Sequence, residues 1–284
     1  MMYHQLPYST SNLVIGIYHS GSYPFKGYIQ DFRVYTTAKY KGGFDVPKPY
    51  TPVGIESWRQ VPDTCKNNFA TWNPLLGPQG CALADGNLTV TSDGANQHKG
   101  TRSTMGMSSG KWYWEYRVGT VAVNSYVGVS ESMDPNGLPS TNYIVSGQGG
   151  NNYVSPNGSF SVTDSSLTTG MIIGCAFDRD ASTQQLKVYK NGSLAVTGTS
   201  SDLGDGVLYL AHNSFNAAVS DGWEGNFGQN PTFSGTVTAG TYTDANGKGL
   251  FKYQPPAGYL ALCEDNLPTP AIADPGKHFK TVLY

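Results

Sequence analysis

The sequence has few charged residues and lacks the features that mark nucleic-acid-binding and membrane proteins. Of its 284 residues, 13% are charged, and the formal net charge is −2. No run of Lys or Arg stands out, which argues against a nucleic-acid partner, because that role needs a basic surface. No apolar run approaches the roughly 18 residues of a membrane span. The first ten residues lack the apolar core of a signal peptide, so we expect any release from a cell to occur by lysis or by assembly into a particle.

Cysteine and glutamate are also scarce. The four cysteines include no Cys-x-x-Cys pair, so the sequence predicts no zinc site. Cys175 lies in the apolar run MIIGCAF and is predicted to be a buried core residue. Cys65 and Cys81 could meet across a loop, and the pattern leaves their disulfide state open. Five Glu beside 35 Gly, 17 Pro and 19 Tyr favour strands and turns over long helices.

The composition divides the chain into four parts. Residues 1–45 are predicted to contain two or three short strands and to serve attachment or oligomerisation. Residues 46–62 carry four prolines and read as an extended linker. Residues 63–262 are a series of short strands separated by turn signals. Residues 263–284 are predicted to be an extended tail.

The segment GKWYWEYRVG gives the clearest strand signal. One set of alternate positions holds apolar and aromatic residues, and the other holds Lys111, Tyr113, Glu115 and Arg117. A strand with one face toward the core and one toward solvent has this pattern. The predicted core-facing residues are Trp112, Trp114, Tyr116 and Val118. Glu115 belongs to the opposite set, which is predicted to face solvent.

Four motifs, in this order, resemble a SPRY domain: GKWYWEYRV, YVGVS, IGCAFDRDASTQQLKVYKNGSL and NFGQNPTF. The resemblance covers most of the chain. It implies an all-β protein, a compact antiparallel β-sandwich of the concanavalin-like kind. In such a sandwich Trp112 and Trp114 would lie in the core between two packed sheets.

The two ends of the chain resemble other modules. FKGYIQDFRVYTTA resembles the closing strands of a laminin-G-like sandwich, whose upstream strands are absent here. Two or three strands alone are marginal in water, so we expect this segment to be covered by the rest of the chain, by a partner or by copies of itself. The motifs LCEDNLPTP and HFKTVLY, with the module order, resemble modular structural proteins of marine bacteriophages. This resemblance implies a virion component, assembled in the host cytoplasm and extracellular in the particle.

Residues that could carry catalysis do not form a known pattern. Concanavalin-like glycosidases resemble this fold class, and a large group of them places carboxylates as Glu-x-Asp-x-x-Glu. None of the five glutamates has another carboxylate two residues away. A nucleophile motif, a phosphate loop and Rossmann glycines are also lacking. We therefore predict a protein that is not an enzyme and uses no cofactor.

The segment FDRDASTQQLKVYKNGS has two readings. Asp178, Asp180 and Ser182 place oxygens at every second position, as a calcium loop does. An EF-hand loop, however, needs Gly at position six and Glu at position twelve, where this chain has Thr183 and Tyr189. The alternative is a turn, followed by a hairpin at Asn191–Gly192, a dipeptide typical of a type I′ turn. The turn is the preferred interpretation, and no metal site is predicted.

Loops remain as the candidate binding surface, because recognition on a sandwich normally lies in loops on a rigid scaffold. Two stretches are rich in Tyr, Trp, Asn and Gly, which suit sugars or protein partners: residues 131–160 and residues 212–226. The alternative is that they are merely solvated, or that Trp223 belongs to the core. The candidate ligand-binding residues are Tyr143, Asn151, Asn152, Tyr153, His212, Asn213 and Trp223.

The favoured functional hypothesis is a non-enzymatic virion structural protein of the capsid-decoration, appendage or tail-fibre type. Its partners would be other capsid or tail proteins and copies of itself, for example in a trimer, and its loops could bind a host-surface glycan or receptor. The alternatives are a SPRY module that binds a cellular peptide and a lectin-like carbohydrate-binding domain.

Overall fold

A computed structural model of the protein describes residues 62–64, 66–76, 81–92, 99–119, 125–131, 142–148, 151–156, 161–165, 167–200, 206–214 and 222–269. The chain divides into two units, Met1–Lys48 and Pro49–Tyr284, and all the described residues belong to the second. The predicted N-terminal strands (residues 1–45), all but the last residue of the linker and the end of the tail lie outside the described residues.

The described residues contain fourteen strands and two single-turn 3₁₀ helices, Pro74–Leu76 and Glu264–Asn266. No helix in this part of the chain is long and apolar enough to cross a membrane. The strands are β1 (Cys81–Ala84), β2 (Thr89–Ser92), β3 (Lys99–Met107), β4 (Lys111–Val118), β5 (Ser125–Ser130), β6 (Asn142–Gln148), β7 (Asn151–Pro156), β8 (Ser161–Ser165), β9 (Ile172–Asp178), β10 (Gln184–Lys190), β11 (Ser193–Ser200), β12 (Leu208–Ser214), β13 (Gly222–Asn226) and β14 (Leu260–Ala261).

These strands form two sheets. The first sheet has the order β1-β2-β13-β4-β9-β10-β11, with β14 also paired to β4, and the second has the order β3-β12-β5-β6-β7-β8. Every pairing between named strands is antiparallel except that of β14 with β4. The predicted fold class, an antiparallel β-sandwich, is confirmed.

The core between the sheets is dominated by aromatic side chains. Trp114, Tyr116 and Val118 of β4 are fully buried, and Trp112 is 3% exposed, which confirms the predicted inner face of this strand. Tyr116 lies at the centre: its ring stacks on Trp72 with ring centroids 5.9 Å apart, and it meets Trp223 edge-on at 6.1 Å. Cys175 of β9 is fully buried in the same cluster, also as predicted.

The hairpin between β10 and β11 follows from its two turn residues. Asn191 and Gly192 have φ values of 46° and 84°, the left-handed conformation that a type I′ turn needs at both positions. The Asn191 side chain also accepts a hydrogen bond from the backbone N–H of Ile172 at 2.9 Å. The predicted hairpin is confirmed, and its turn is tied to the start of β9.

The first and last segments of the sandwich are joined to each other. Phe69 and Cys263 form an antiparallel bridge, and the Ala70 N–H donates to the Leu262 carbonyl at 2.9 Å. One residue further along, the Asn68 side-chain amide donates to the Glu264 carboxylate at 3.1 Å. Both chain ends of the sandwich therefore leave it at the same place.

Residues 131–160 differ from their predicted loop structure. Two strands, β6 and β7, occupy much of this stretch and extend the second sheet beyond β5. Their sequences, NYIVSGQ and NNYVSP, mix β-formers with Asn, Ser and Gly. Because Asn, Ser and Gly are typical of turns, the sequence pattern predicted a loop where these two strands lie.

Candidate functional site

Four of the predicted ligand-binding residues lie on the strands β6 and β7. The Tyr143 backbone is paired with that of Val129 in β5. The Val129 side chain is buried in the core. Asn151 and Asn152 begin β7, paired with Gln148 and Gly147, and Tyr153 is paired with Ser146. A binding role for these four residues stays a prediction.

The other three predicted residues are buried, which corrects their expected place on an exposed loop. His212 and Asn213 belong to β12 and are 0% and 3% exposed. The His212 ring lies edge-on to Trp72 with centroids 6.3 Å apart. Trp223 of β13 is 1% exposed and packs on Tyr116, so the alternative that it is a core residue is the correct one. None of these side chains contributes to an exposed surface in this structure.

Glu115 is the main polar residue whose environment was wrongly predicted from the sequence pattern. Its pattern position predicted a solvent-facing charge, yet it is fully buried. The reason lies in the chain after β13, which leaves β4 at Asn226 and returns to it at Leu260. Residues of this excursion cover the outer face of β4, where Tyr113 packs edge-on against Phe251 with ring centroids 5.0 Å apart.

The Glu115 carboxylate accepts four hydrogen bonds from three parts of the chain. The backbone N–H groups of Lys252 and Tyr253 donate at 2.9 and 2.8 Å. The Asn226 amide donates at 3.0 Å and the Tyr113 hydroxyl at 3.2 Å. All four partners are donors, as a buried carboxylate requires.

Burial decides the acidity of this carboxyl group. Desolvation raises the pKa of Glu115 from its ordinary value of 4.5 to about 7, because it outweighs the four hydrogen bonds that favour the charged form. A pKa near 7 suits a general acid or base. This carboxyl, however, has no exposed surface and is surrounded by protein donors, so it is not accessible to a substrate in this conformation.

Asn226 links the Glu115 carboxylate to the turn that follows β13. Its side-chain oxygen accepts from the N–H groups of Gly228 and Asn230 at 3.0 and 2.8 Å. Its amide nitrogen also donates to the Leu250 carbonyl at 3.0 Å. The Asn230 amide donates in turn to the buried carboxylate of Glu224 at 3.0 Å. This network stabilises the path of the chain after β13.

The aspartates of the segment FDRDAS form a turn. The Asp178 carboxylate accepts from the N–H groups of Asp180 and Ala181 at 3.2 and 3.1 Å. It also pairs with the Lys111 ammonium at 2.8 Å. Asp180 accepts from the Gly110 N–H at 2.7 Å. These contacts use the carboxylate oxygens for backbone groups and a lysine, as the turn interpretation requires.

The described residues offer no group of three or more His, Cys, Asp or Glu that could hold a metal ion. Cys81, Cys175 and Cys263 are buried thiols without a disulfide. Cys65, the other half of the suggested pair with Cys81, lies outside the described residues.

Comparison with solved structures finds SPRY domains, the family that the sequence motifs resemble. The SPRY domain of human HERC1 is 22% identical, with a TM-score of 0.44, and the match covers 54% of this chain and 96% of that domain. The PSpry domain of TRIM65 is 14% identical, with a TM-score of 0.43 and coverage of 56% and 92%. A human SPRY domain is 18% identical, with a TM-score of 0.40 and coverage of 52% and 96%. At these identities the similarity concerns the fold alone.

No family model and no curated protein matches the chain.

Sequence reasoning missed Glu115 and Asn226, although part of the signal was present. Both lie within motifs used for the SPRY resemblance, GKWYWEYRV and NFGQNPTF. The outward set of β4 also contains Tyr113, an aromatic residue that is fully buried here, at 1% exposed. An aromatic side chain beside a glutamate on a supposed solvent face indicates that another segment covers that face.

Proposed function

We propose that this chain is a non-enzymatic virion structural protein that attaches to a particle through the segments flanking its sandwich. The pairing of residues 67–70 with residues 262–265 supports this proposal. Because both flanks leave the sandwich at one place, both can engage the same surface. The remainder of the sandwich is then available to a second partner.

The buried carboxylates accept hydrogen bonds from the protein's own backbone and side chains, which supports a non-catalytic role for the protein. Glu115 is enclosed by four donors, and Glu224 accepts from Asn230 within the turn after β13. Asp244, 6% exposed, accepts from the N–H groups of Lys248 and Ala261 at 2.7 and 2.8 Å. Each of these carboxylates stabilises a loop of the fold.

The virion assignment itself rests on the resemblance of the module order and of the motifs LCEDNLPTP and HFKTVLY to phage structural proteins. A carbohydrate or receptor ligand would bind the loops of the sandwich, with Tyr143, Asn151, Asn152 and Tyr153 as its first candidates. Copies of the chain would associate through residues 1–45, because the two or three strands predicted there need a covering surface.

The deciding experiment is mass spectrometry of particles purified on a density gradient from a culture that encodes this chain. We expect the chain at a fixed ratio to the major capsid protein in successive particle fractions, while an abundant host protein falls away. A chain that stays in the soluble fractions would contradict the virion role. If a tagged chain then recovered one stoichiometric cellular protein, the cellular SPRY-type alternative would be favoured.

Attachment through the flanks is tested by deleting residues 1–45. We expect the shortened chain to keep the sandwich but to lose particle incorporation and to show a lower mass by light scattering. Unchanged mass and unchanged incorporation would contradict attachment through this segment. A glycan array with the full chain tests the carbohydrate ligand, and binding to no member of a broad panel would remove it.

A further inference from the structure

In the described part of the chain, the strand orders of the two sheets end in β1, β3, β8 and β11. Three of these edge strands are protected against pairing with another strand. β1 has only four residues, and β8 contains Asp164. β3 is covered, because Ser103 is bridged to Trp72 and the Thr104 N–H donates to the Thr71 carbonyl at 2.8 Å. Short length, charge and a covering segment are common protections of a sheet edge.

The fourth edge strand, β11, lacks these protections. Its eight residues, SLAVTGTS, include no charged residue and no proline. It pairs with β10 on one side, and no described residue pairs with it on the other. Its exposed residues include Thr197, Thr199 and Leu194, which is 56% exposed. Alternate backbone N–H and C=O groups of an antiparallel strand point away from its partner, so β11 presents a row of these groups at the edge of the sheet.

The sandwich holds β11 in an extended conformation. Val196 packs against the main core cluster and pairs with Val188 of β10. The register shifts once, at Ala195, next to the hairpin turn. A bulge of this kind can blunt a sheet edge, but the five residues Val196–Ser200 pair with β10 without a further shift. This part of β11 is therefore a preformed, regular template for another strand.

We propose that β11 is a self-association surface, on which the β11 strand of a second copy pairs in the antiparallel direction about a two-fold axis. Such a pairing uses the same strand in both copies, so it closes both open edges at once. Because β11 carries no charge, the pairing places no like charges opposite each other. The nearest charge in register is Lys187 of β10, opposite Thr197. The two copies of Lys187 would lie three strand spacings apart, roughly 14 Å, beyond the screening length of about 8 Å at physiological ionic strength.

The regular part of β11 also sets the register of the pair. Val196–Ser200 is centred on Gly198, so the two-fold axis passes through this residue. Thr197 of one copy then lies opposite Thr199 of the other, and threonine pairs stabilise antiparallel strands. The first sheet continues across the interface into the second copy. This association is separate from that proposed for residues 1–45, and it does not depend on the virion role.

Light scattering of the full chain at concentrations from about 1 to about 300 µM tests this surface. We expect the wild-type mass to rise to at least twice that of Thr197→Lys. The substitution brings two lysines within about 7–8 Å of each other across the axis, and an edge lysine blocks strand pairing. Thr91→Lys is the matched control. It makes the same change at an exposed position of β2, which is paired on both sides, and should associate as wild type does.

Cysteine cross-linking measures the register and needs no charged variant. Thr197→Cys and Thr199→Cys chains, one of them carrying a tag, are mixed in equal amounts and oxidised. We expect a covalent dimer that contains both chains, because Cα atoms of opposed residues in antiparallel strands are about 5 Å apart, within disulfide range. A mixture of Thr91→Cys with Thr199→Cys is the control and should give no such dimer. A thermal scan of each variant confirms that it folds.

The mass difference decides the surface, and the cross-link decides the register. Equal masses of wild type and Thr197→Lys at every concentration would overturn the proposal. If these equal masses exceeded that of one chain, the association would belong to another surface, such as residues 1–45. A fall in the mass of Thr91→Lys as large as that of Thr197→Lys would also overturn it, because the effect would then come from added charge and not from the sheet edge.

Discussion

The substitution Asn226→Asp should destabilise the sandwich by an amount that grows with pH. Asn226 is fully buried and uses its whole hydrogen-bonding capacity, with two donors to its oxygen and two acceptors for its amide nitrogen. Aspartate has nearly the same shape and keeps the oxygen that accepts from Gly228 and Asn230. Its second oxygen, however, replaces an N–H₂ group that faces the Glu115 carboxylate and the Leu250 carbonyl, both at 3.0 Å.

The magnitude depends on whether this oxygen carries a proton. At pH 5 a protonated aspartate donates one hydrogen bond, so one bond of the original pair is lost, at about 1–2 kcal/mol. At pH 8 the two carboxyl groups compete for protons in a buried site, and both acceptors are left without a donor. Unsatisfied buried groups cost roughly 1–3 kcal/mol each, and like charges at this distance add to that. We expect a total loss of roughly 3–5 kcal/mol at pH 8.

Urea unfolding followed by tryptophan fluorescence at pH 5 and pH 8 measures this difference, since Trp72, Trp114 and Trp223 are buried and change environment on unfolding. The matched control is Asn246→Asp, which introduces the same charge on an exposed residue whose amide makes one exposed hydrogen bond, to Asn266, and should lower stability by less than about 1.5 kcal/mol at both pH values. A loss at Asn226 below about 1 kcal/mol at pH 8, or an equal loss at both pH values, would refute the reasoning.

Three further substitutions test the core, the hairpin and the surface. Tyr116→Phe should change the free energy of unfolding by no more than about 1 kcal/mol, because the buried Tyr116 hydroxyl makes no hydrogen bond of normal geometry and interacts with the Trp114 indole; a larger change in urea unfolding would contradict this. Gly192→Ala should lower the melting temperature, because its φ is 84° and a Cβ would lie 2.6 Å from the Tyr253 ring; an unchanged value in a thermal scan would count against the turn geometry. Lys111→Ala should change stability little, since the Lys111 side chain of its ion pair with Asp178 is 45% exposed and exposed ion pairs contribute little; a clear loss of stability in chemical unfolding would contradict this.

Much of the fold was predictable from local patterns. Alternation in β4 identified Trp112, Trp114 and Tyr116 as core residues, because a strand that faces a core must place apolar residues at every second position. Asn191–Gly192 identified the hairpin for an equally local reason, the need for positive φ at both turn positions. These features depend on a few neighbouring residues, so the sequence displays them directly.

The candidate site was harder to predict, because it depends on distant contacts. Alternation shows that Glu115 faces away from the core, but it does not show that the chain near Lys252 returns to cover that face. His212 was read as a loop residue because it precedes a long polar stretch, although it is the fifth residue of β12. In both cases the deciding contact involves residues remote in sequence.

The joined ends of the sandwich have a consequence for how the protein is made. Leu262 is fully buried in the main core cluster, as are Ala70 and Trp72, so the earliest and the latest parts of the sandwich complete the same core. During translation the strands made first cannot be fully covered until the ribosome has passed residue 262. Contacts between such distant residues are slow to form, and exposed apolar surface promotes aggregation in the meantime. The nascent chain is therefore most vulnerable just before β14 emerges, and premature termination upstream of β14 would release a sandwich with an open core.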